Sequence, residues 1–157
     1  MKNIILLLIV FTINVKAQNL EKIKKQNTYF ILLSKNDKLS GYGCENGGNN
    51  RSCTYHFFNR DSTPFEYSFT YSPYKDIDDY YNKINKTPLF RINKSFLKKN
   101  KDIIITREFM EKMGKRVMLD LLYSDSPNKT IFLINTADTK DGKILVREVT
   151  IDYTADE

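Results

Sequence analysis

Short apolar runs alternate with polar breaks along most of this chain, and the spacing inside each run separates strands from helices. The clearest period is two. Phe65, Tyr67, Phe69 and Tyr71 alternate with Glu66, Ser68 and Thr70. Successive strand side chains point to opposite faces, so this segment is a strand with one aromatic and one polar face. Residues 53–59 have a similar composition, and residues 60–64, with Asp61, Ser62 and Pro64, form a turn between the two. The pair predicts an antiparallel hairpin whose aromatic face packs on a helix.

Other runs extend this picture. Residues 28–33 are β-branched, aromatic and aliphatic, and read as a strand. Residues 130–135 are apolar on both faces, the mark of a central strand. Residues 143–153 read as one long final strand with Leu145, Val149, Ile151 and Tyr153 on one face, interrupted by Arg147. Residues 40–52, holding Gly41, Gly43, Gly47 and Gly48, read as a loop.

Helical spacing appears in two places. Ser72 can cap a helix with Pro73 in its first turn, and Tyr74, Ile77, Tyr81 and Ile84 then recur at helical intervals. Thr106 can cap a second, with Phe109, Met110, Met113, Val117, Met118, Leu121 and Leu122 on one stripe. Gly114 sits on that stripe, either as a break between two helices or as a point of close packing; the pattern leaves both open. Residues 20–26 give one or two helical turns, residues 89–92 a short extended piece, and residues 95–101 a lysine-rich turn or short helix. The predicted fold is α+β: a single domain over residues 18–157, with an antiparallel sheet of about five strands and helices packed on one face.

The first seventeen residues stand apart. Lys2 precedes an almost unbroken apolar run from Ile4 to Ile13, and Val15 and Ala17 place small residues before Gln18. This is the layout of a secretory signal peptide, and the run is shorter than the roughly 20 residues of a membrane span. Residues 1–17 are therefore expected to be removed, leaving an exported protein, periplasmic or secreted, with no stable membrane anchor. Export gives the two cysteines a meaning. Cys44 and Cys53 are expected to pair in an oxidising compartment, stabilising the fold by roughly 2–3 kcal/mol.

Charge and composition narrow function only a little. The formal net charge is +6, of which Lys2 and Lys16 leave with the signal. A solvated lysine surface accounts for most of it, with a mild attraction to an acidic partner such as an anionic envelope polymer in second place. Lys94, Lys98, Lys99 and Lys101 gather around Phe96. Basic residues around one aromatic are a minimal nucleic-acid signal, and export argues against that partner.

No motif identifies a chemistry. His56, the one histidine, shares a strand face with Thr54 and Phe58 and is the candidate general base. Asp76, Asp78 and Asp79 are better read as complements to a helix dipole than as metal ligands. The glycines of residues 41–48 lack the lysine and hydroxyl of a phosphate loop. Arg147 must be paired, snorkelling or part of a site, because it breaks an apolar face. The reading that follows is a small exported binding or inhibitory module that contacts a protein or an envelope polymer, with Tyr42, Tyr55 and Arg147 as binding residues and no cofactor or metal. The alternative is an envelope or secreted hydrolase using His56 with a carboxylate.

Overall fold

The computed structural model describes residues 18–34, 37, 41–47, 50–59, 65–74, 77–82, 86–124 and 128–155. The expected signal segment, the turn at 60–64 and Asp76 lie outside the described residues. Nine strands and four α-helices fall within them. The strands are β1 (Thr28–Leu33), β2 (Gly41–Gly47), β3 (Asn50–Asn59), β4 (Phe65–Tyr71), β5 (Leu89–Asn93), β6 (Ile104–Thr106), β7 (Thr130–Lys140), β8 (Lys143–Glu148) and β9 (Thr150–Ala155). The helices are α1 (Leu20–Lys24), α2 (Ile77–Asn82), α3 (Lys94–Lys99) and α4 (Arg107–Leu119), the last running into a π-turn at Asp120–Ser124.

The predicted single antiparallel sheet is corrected to two sheets. Five strands form a mixed sheet in the order β5-β8-β7-β1-β6, and four form an antiparallel sheet in the order β2-β3-β4-β9. Strand β1 runs parallel to both neighbours, β6 and β7. Its apolar run explains the placement. Tyr29, Ile31 and Leu33 face one buried cluster, while Phe30 and Leu32 pack against another. A strand apolar on both faces belongs at the centre of a sheet covered on both sides.

The larger cluster unites the two sheets. Tyr29, Ile31, Leu33, Ile131 and Leu133 of the mixed sheet share it with Tyr55, Tyr67 and Phe69 of the antiparallel sheet. Phe109, Met110 and Met118 of α4 and Leu121 and Leu122 of the π-turn belong to it as well. Tyr67 and Phe69 of β4 share this cluster with residues of α4, whereas the helix expected against the aromatic face was placed in the segment that follows β4. Among its described residues that segment forms the six-residue α2, and Tyr74 makes an isolated bridge to Lys86.

Two local features follow from single residues. Thr106 caps α4, its Oγ1 accepting from the Phe109 N–H at 3.2 Å. Gly114 has φ 74° and ψ 168°, a non-helical conformation that kinks α4. The left-handed sign of φ is what glycine tolerates and other residues resist. At the β7–β8 hairpin, Asp141 and Gly142 have φ 52° and 71°. Positive φ at both central residues is the requirement of the tight turn that Asp-Gly favours. The turn is thus confined to these two residues, and Asp138 belongs to β7.

The long final strand also divides. Residues 143–148 pair in the mixed sheet, residues 150–155 pair in the antiparallel sheet, and the buried Val149 joins them. Its N–H donates to the Ile131 carbonyl at 2.9 Å. The alternation seen in the sequence survives the crossing, because both sheets turn the same side of this segment toward the shared core: Val149 and Ile151 both join the larger cluster. The glycine-rich segment expected to be a loop is strand β2, and the whole of Gly41–Gly47 pairs with β3 from His56 to Asn50.

Candidate functional site

The antiparallel sheet has a core face and a polar face, and the polar face is where hydroxyls converge. Alternation puts Ser52, Thr54 and His56 of β3, Ser68 and Thr70 of β4, and Thr150 and Asp152 of β9 on that side. Register aligns them in rows across the strands. Thr54 lies opposite Thr70, which lies opposite Thr150; His56 lies opposite Ser68, which lies opposite Asp152. The rows are hydrogen-bonded. Thr54 Oγ1 and Thr70 Oγ1 are 3.1 Å apart, and Thr150 Oγ1 donates to the Thr70 carbonyl at 3.3 Å. Ser52 Oγ donates to Ser72 Oγ at 3.4 Å. Cross-strand hydroxyl pairs of this kind are a modest source of sheet stability.

The rows end at a depression beside the crossing between the sheets. It encloses about 270 Å³ and is lined by Thr70, Ser72, Tyr74, Thr87, Glu148 and Thr150, with Val149 at its base. Backbone contacts hold its walls. The Thr87 N–H donates to the Pro73 carbonyl at 2.9 Å, and the Glu148 N–H to the Pro88 carbonyl at 3.1 Å. Five hydroxyl-bearing residues and one acidic residue therefore line one space. Hydroxyls both donate and accept, and an ionised carboxylate accepts at two oxygens. A second, more open depression of about 520 Å³ shares Glu148, Val149 and Thr150 with the first and extends to Tyr123, Lys129 and Ile151. There Tyr123 Oη donates to the Ile151 carbonyl at 3.3 Å, and Lys129 Nζ donates to Tyr29 Oη at 2.6 Å.

The residues singled out in the sequence fall in different places. Tyr55 is 0 % exposed and packs in the larger cluster, so its ring is core material rather than contact surface. Tyr42 lies opposite Tyr55 in the β2–β3 register, and its side chain is outside the described residues. Arg147 is held on the protein itself: its Nη1 donates to Asp138 Oδ2, and its guanidinium lies 5.7 Å from the centre of the Tyr71 ring. The partner carboxylate comes from a bulge. Between Ile134, opposite Val146, and Thr139, opposite Ile144, β7 has four residues where β8 has only Leu145. That extra chain, pinned by the Asn135 side chain accepting from the Ala137 N–H at 3.0 Å, brings Asp138 to Arg147.

His56 Nδ1 and Ser68 Oγ are 3.0 Å apart. In the row, the serine stands between the imidazole and Asp152, whose strand is two away, roughly 10 Å at the usual strand spacing. An acid that orients a catalytic histidine must touch it, so this order differs from that of a Ser-His-Asp triad. Of the acidic trio, Asp78 is exposed on α2. Among the described residues, no group of three or more His, Cys, Asp and Glu is placed to hold a metal ion.

On the core side, two phenols are displaced in their acidity. Burial pushes the Tyr67 hydroxyl well above the usual tyrosine range, and the nearby Tyr123 adds to the effect. Burial also raises Tyr71, and the Arg147 guanidinium opposes the rise. Both shifts keep these groups neutral at physiological pH.

The sequence revealed Ser68 and Thr70 as polar positions of a strand. It did not reveal Thr87, Glu148 and Thr150 as their neighbours, because those contacts depend on the pairing of β4 with β9 and on backbone contacts of Thr87 with Pro73 and of Glu148 with Pro88, none of them marked by a local pattern. No family model, curated protein or solved structure matches this chain.

Proposed function

We propose that this chain is a small exported binding module whose site is the hydroxyl-lined depression at the crossing between the sheets, and that it takes a polyhydroxylated unit of an envelope polymer. The observation carrying this reading is the convergence of Thr70, Ser72, Tyr74, Thr87 and Thr150 around Glu148. A sugar ring presents vicinal hydroxyls, each a donor and an acceptor. A carboxylate accepts from two adjacent hydroxyls at once, and the wall hydroxyls satisfy the remaining groups without any charge on the ligand.

Export rests on the charge, apolar and small-residue layout of residues 1–17. The extracellular disulfide rests on register. Cys44 and Cys53 lie directly opposite each other on adjacent antiparallel strands. Opposed positions there are about 4.5–5.5 Å apart at Cα, inside the range a disulfide spans. Among the described residues, no helix is long and apolar enough to cross a membrane.

The test is calorimetric titration of the chain from Gln18 with oligosaccharides released from envelope polymers. Saturable binding that falls about tenfold or more in Glu148→Gln and Thr150→Val supports the site, since each variant loses one or two hydrogen bonds to the ligand. Binding unchanged in both variants would move the site elsewhere.

A second reading has one observation in its favour, the 3.0 Å contact between His56 Nδ1 and Ser68 Oγ. A hydrolase would use the imidazole to take the proton of the Ser68 hydroxyl as it attacks. Fluorophosphonate labelling of Ser68 that is abolished in His56→Ala supports this reading, and an unlabelled wild-type protein removes it.

A further inference from the structure

The mixed sheet carries apolar side chains on both faces, and among the described residues its outer face is covered by the short α3. Ile92, Ile104, Ile134, Ile144 and Val146 form a second buried cluster there, roofed by Phe96 and Leu97 of the six-residue α3. Phe30, Phe132 and Phe90 make a row across this face, with ring centres 5.8 and 5.1 Å apart. The row runs out at β5, the edge strand. There Leu89 is 51 % and Phe90 38 % exposed. They point to opposite faces of the sheet, so the edge presents apolar groups on both sides.

Around this edge the charge is one-sided. Residues 86–101 contain Lys86, Arg91, Lys94, Lys98, Lys99 and Lys101 and no acidic residue. All six cations are exposed, and the ion pairs among the described residues involve none of them. The chain from Gln18 carries a formal net charge of +4, so outside this segment it is slightly negative. Lys143, opposite Asn93, extends the basic surface at the next strand. The acidic neighbours are few. Asp141 lies in the adjoining hairpin turn, Glu148 stands beside Pro88 at the start of β5, and Asp102 is paired with Lys22.

We infer that this edge, Leu89 and Phe90 within a collar of lysine and arginine, docks the protein on an anionic lipid surface. The cations are attracted to the negative headgroups. The leucine and phenylalanine then enter the headgroup boundary, where apolar side chains leave water. A soluble polyanion satisfies the cations and leaves the two apolar groups in water, so the combination fits a membrane surface better than a free polymer. This surface adjoins the depression, whose Thr87 and Glu148 lie beside the start of β5, but the inference does not depend on that site.

The test is co-sedimentation of the chain from Gln18 with phosphatidylglycerol-containing and with purely phosphatidylcholine vesicles. Binding to the anionic vesicles alone, weakened by added salt, is the expected result. Replacing Arg91, Lys98 and Lys99 together by glutamine should weaken it about 100-fold, from the usual contribution of each cation near such a surface. The double variant Leu89→Ser, Phe90→Ser should weaken it too, and a Lys25→Gln, Lys112→Gln control should leave it unchanged. Circular dichroism establishes that each variant is folded, as is expected for substitutions at exposed positions. Absence of binding to anionic vesicles, or equal binding to neutral ones, overturns the inference. So does an equal loss in the control, which would mean that only net charge matters. Retention of full vesicle affinity by the Leu89, Phe90 variant, together with binding to heparin, would identify the partner as a polyanion rather than a lipid.

Discussion

The two sheets solve the same problem, hiding apolar strands from water, in different ways. The antiparallel sheet alternates along β4 and buries one face, so its other face can carry serine, threonine and histidine. The mixed sheet is apolar on both faces and needs cover on both. The antiparallel sheet and α4 share a cluster with one side, and among the described residues α3 covers the other. The candidate surfaces fall where these solutions end. The hydroxyl rows of the antiparallel sheet run into a depression at the crossing, and the aromatic row of the mixed sheet runs out at a bare edge. What each sheet exposes is thus decided by what its partner layer leaves uncovered.

If the larger cluster joins the sheets into one unit, damage to either should unfold both. Phe69, 0 % exposed on the antiparallel sheet, should cost about 3–5 kcal/mol when changed to alanine. The loss should appear in urea unfolding as a single transition moved to lower denaturant, whichever sheet is probed. Two separate transitions would divide the molecule where this comparison joins it.

The next effect belongs to the antiparallel sheet alone. Cys53→Ser should lower stability by about 2–3 kcal/mol under oxidising conditions. It should differ little from the wild type once reductant is present. An equal difference with and without reductant would assign the effect to packing of the buried Cys53 rather than to a bridge.

The alkaline limb comes third. Tyr67 is raised by burial on the core side of the antiparallel sheet. Below pH 10 both folded and unfolded phenols are neutral and the group contributes no pH dependence. Above about pH 10 the unfolded chain ionises first, so stability falls as pH rises, by up to about 1.4 kcal/mol per pH unit for this one group. Tyr67→Phe should flatten that limb and leave its onset to the other tyrosines. The same slope in the variant would show that Tyr67 is not the group responsible.

The smallest effect lies in the mixed sheet. Asp138→Asn removes the carboxylate facing Arg147 and should cost about 1 kcal/mol, since the pair is only half buried. Thermal melting should show it as a shift of a few degrees. No shift would mean that the Tyr71 ring alone holds the arginine.

These differences also explain how much the sequence disclosed. Period-two alternation made β4 legible down to its faces, and the apolar run at 130–135 announced a central strand, because both signals are local. The kink at Gly114 was visible as a question, and the positive φ of that residue answers it. The division into two sheets was not legible. Residues 143–153 keep an unbroken alternation through the crossing at Val149, since both sheets face one core, and nothing local marks the change of partner. The parallel pairs of β1 were hidden for the same reason: β6 and β7 arrive seventy and more residues later. Glycine content misled at residues 41–47, where the ladder to β3 outweighs local flexibility. Alternation separates two faces of β3 without saying which one is covered, so the burial of Tyr55 is not legible in the pattern. The candidate depression was out of reach altogether, being built from Thr70, Thr87 and Glu148, three segments that only the tertiary structure brings together.

The most direct test of the binding reading is a heteronuclear NMR titration of the chain from Gln18 with an envelope-derived oligosaccharide. The account predicts saturable shifts concentrated at the amides of Thr70, Ser72, Thr87 and residues 148–150, with the amides of α3 undisturbed. Shifts concentrated instead on β5 and α3, or no shifts with any such ligand, would contradict it.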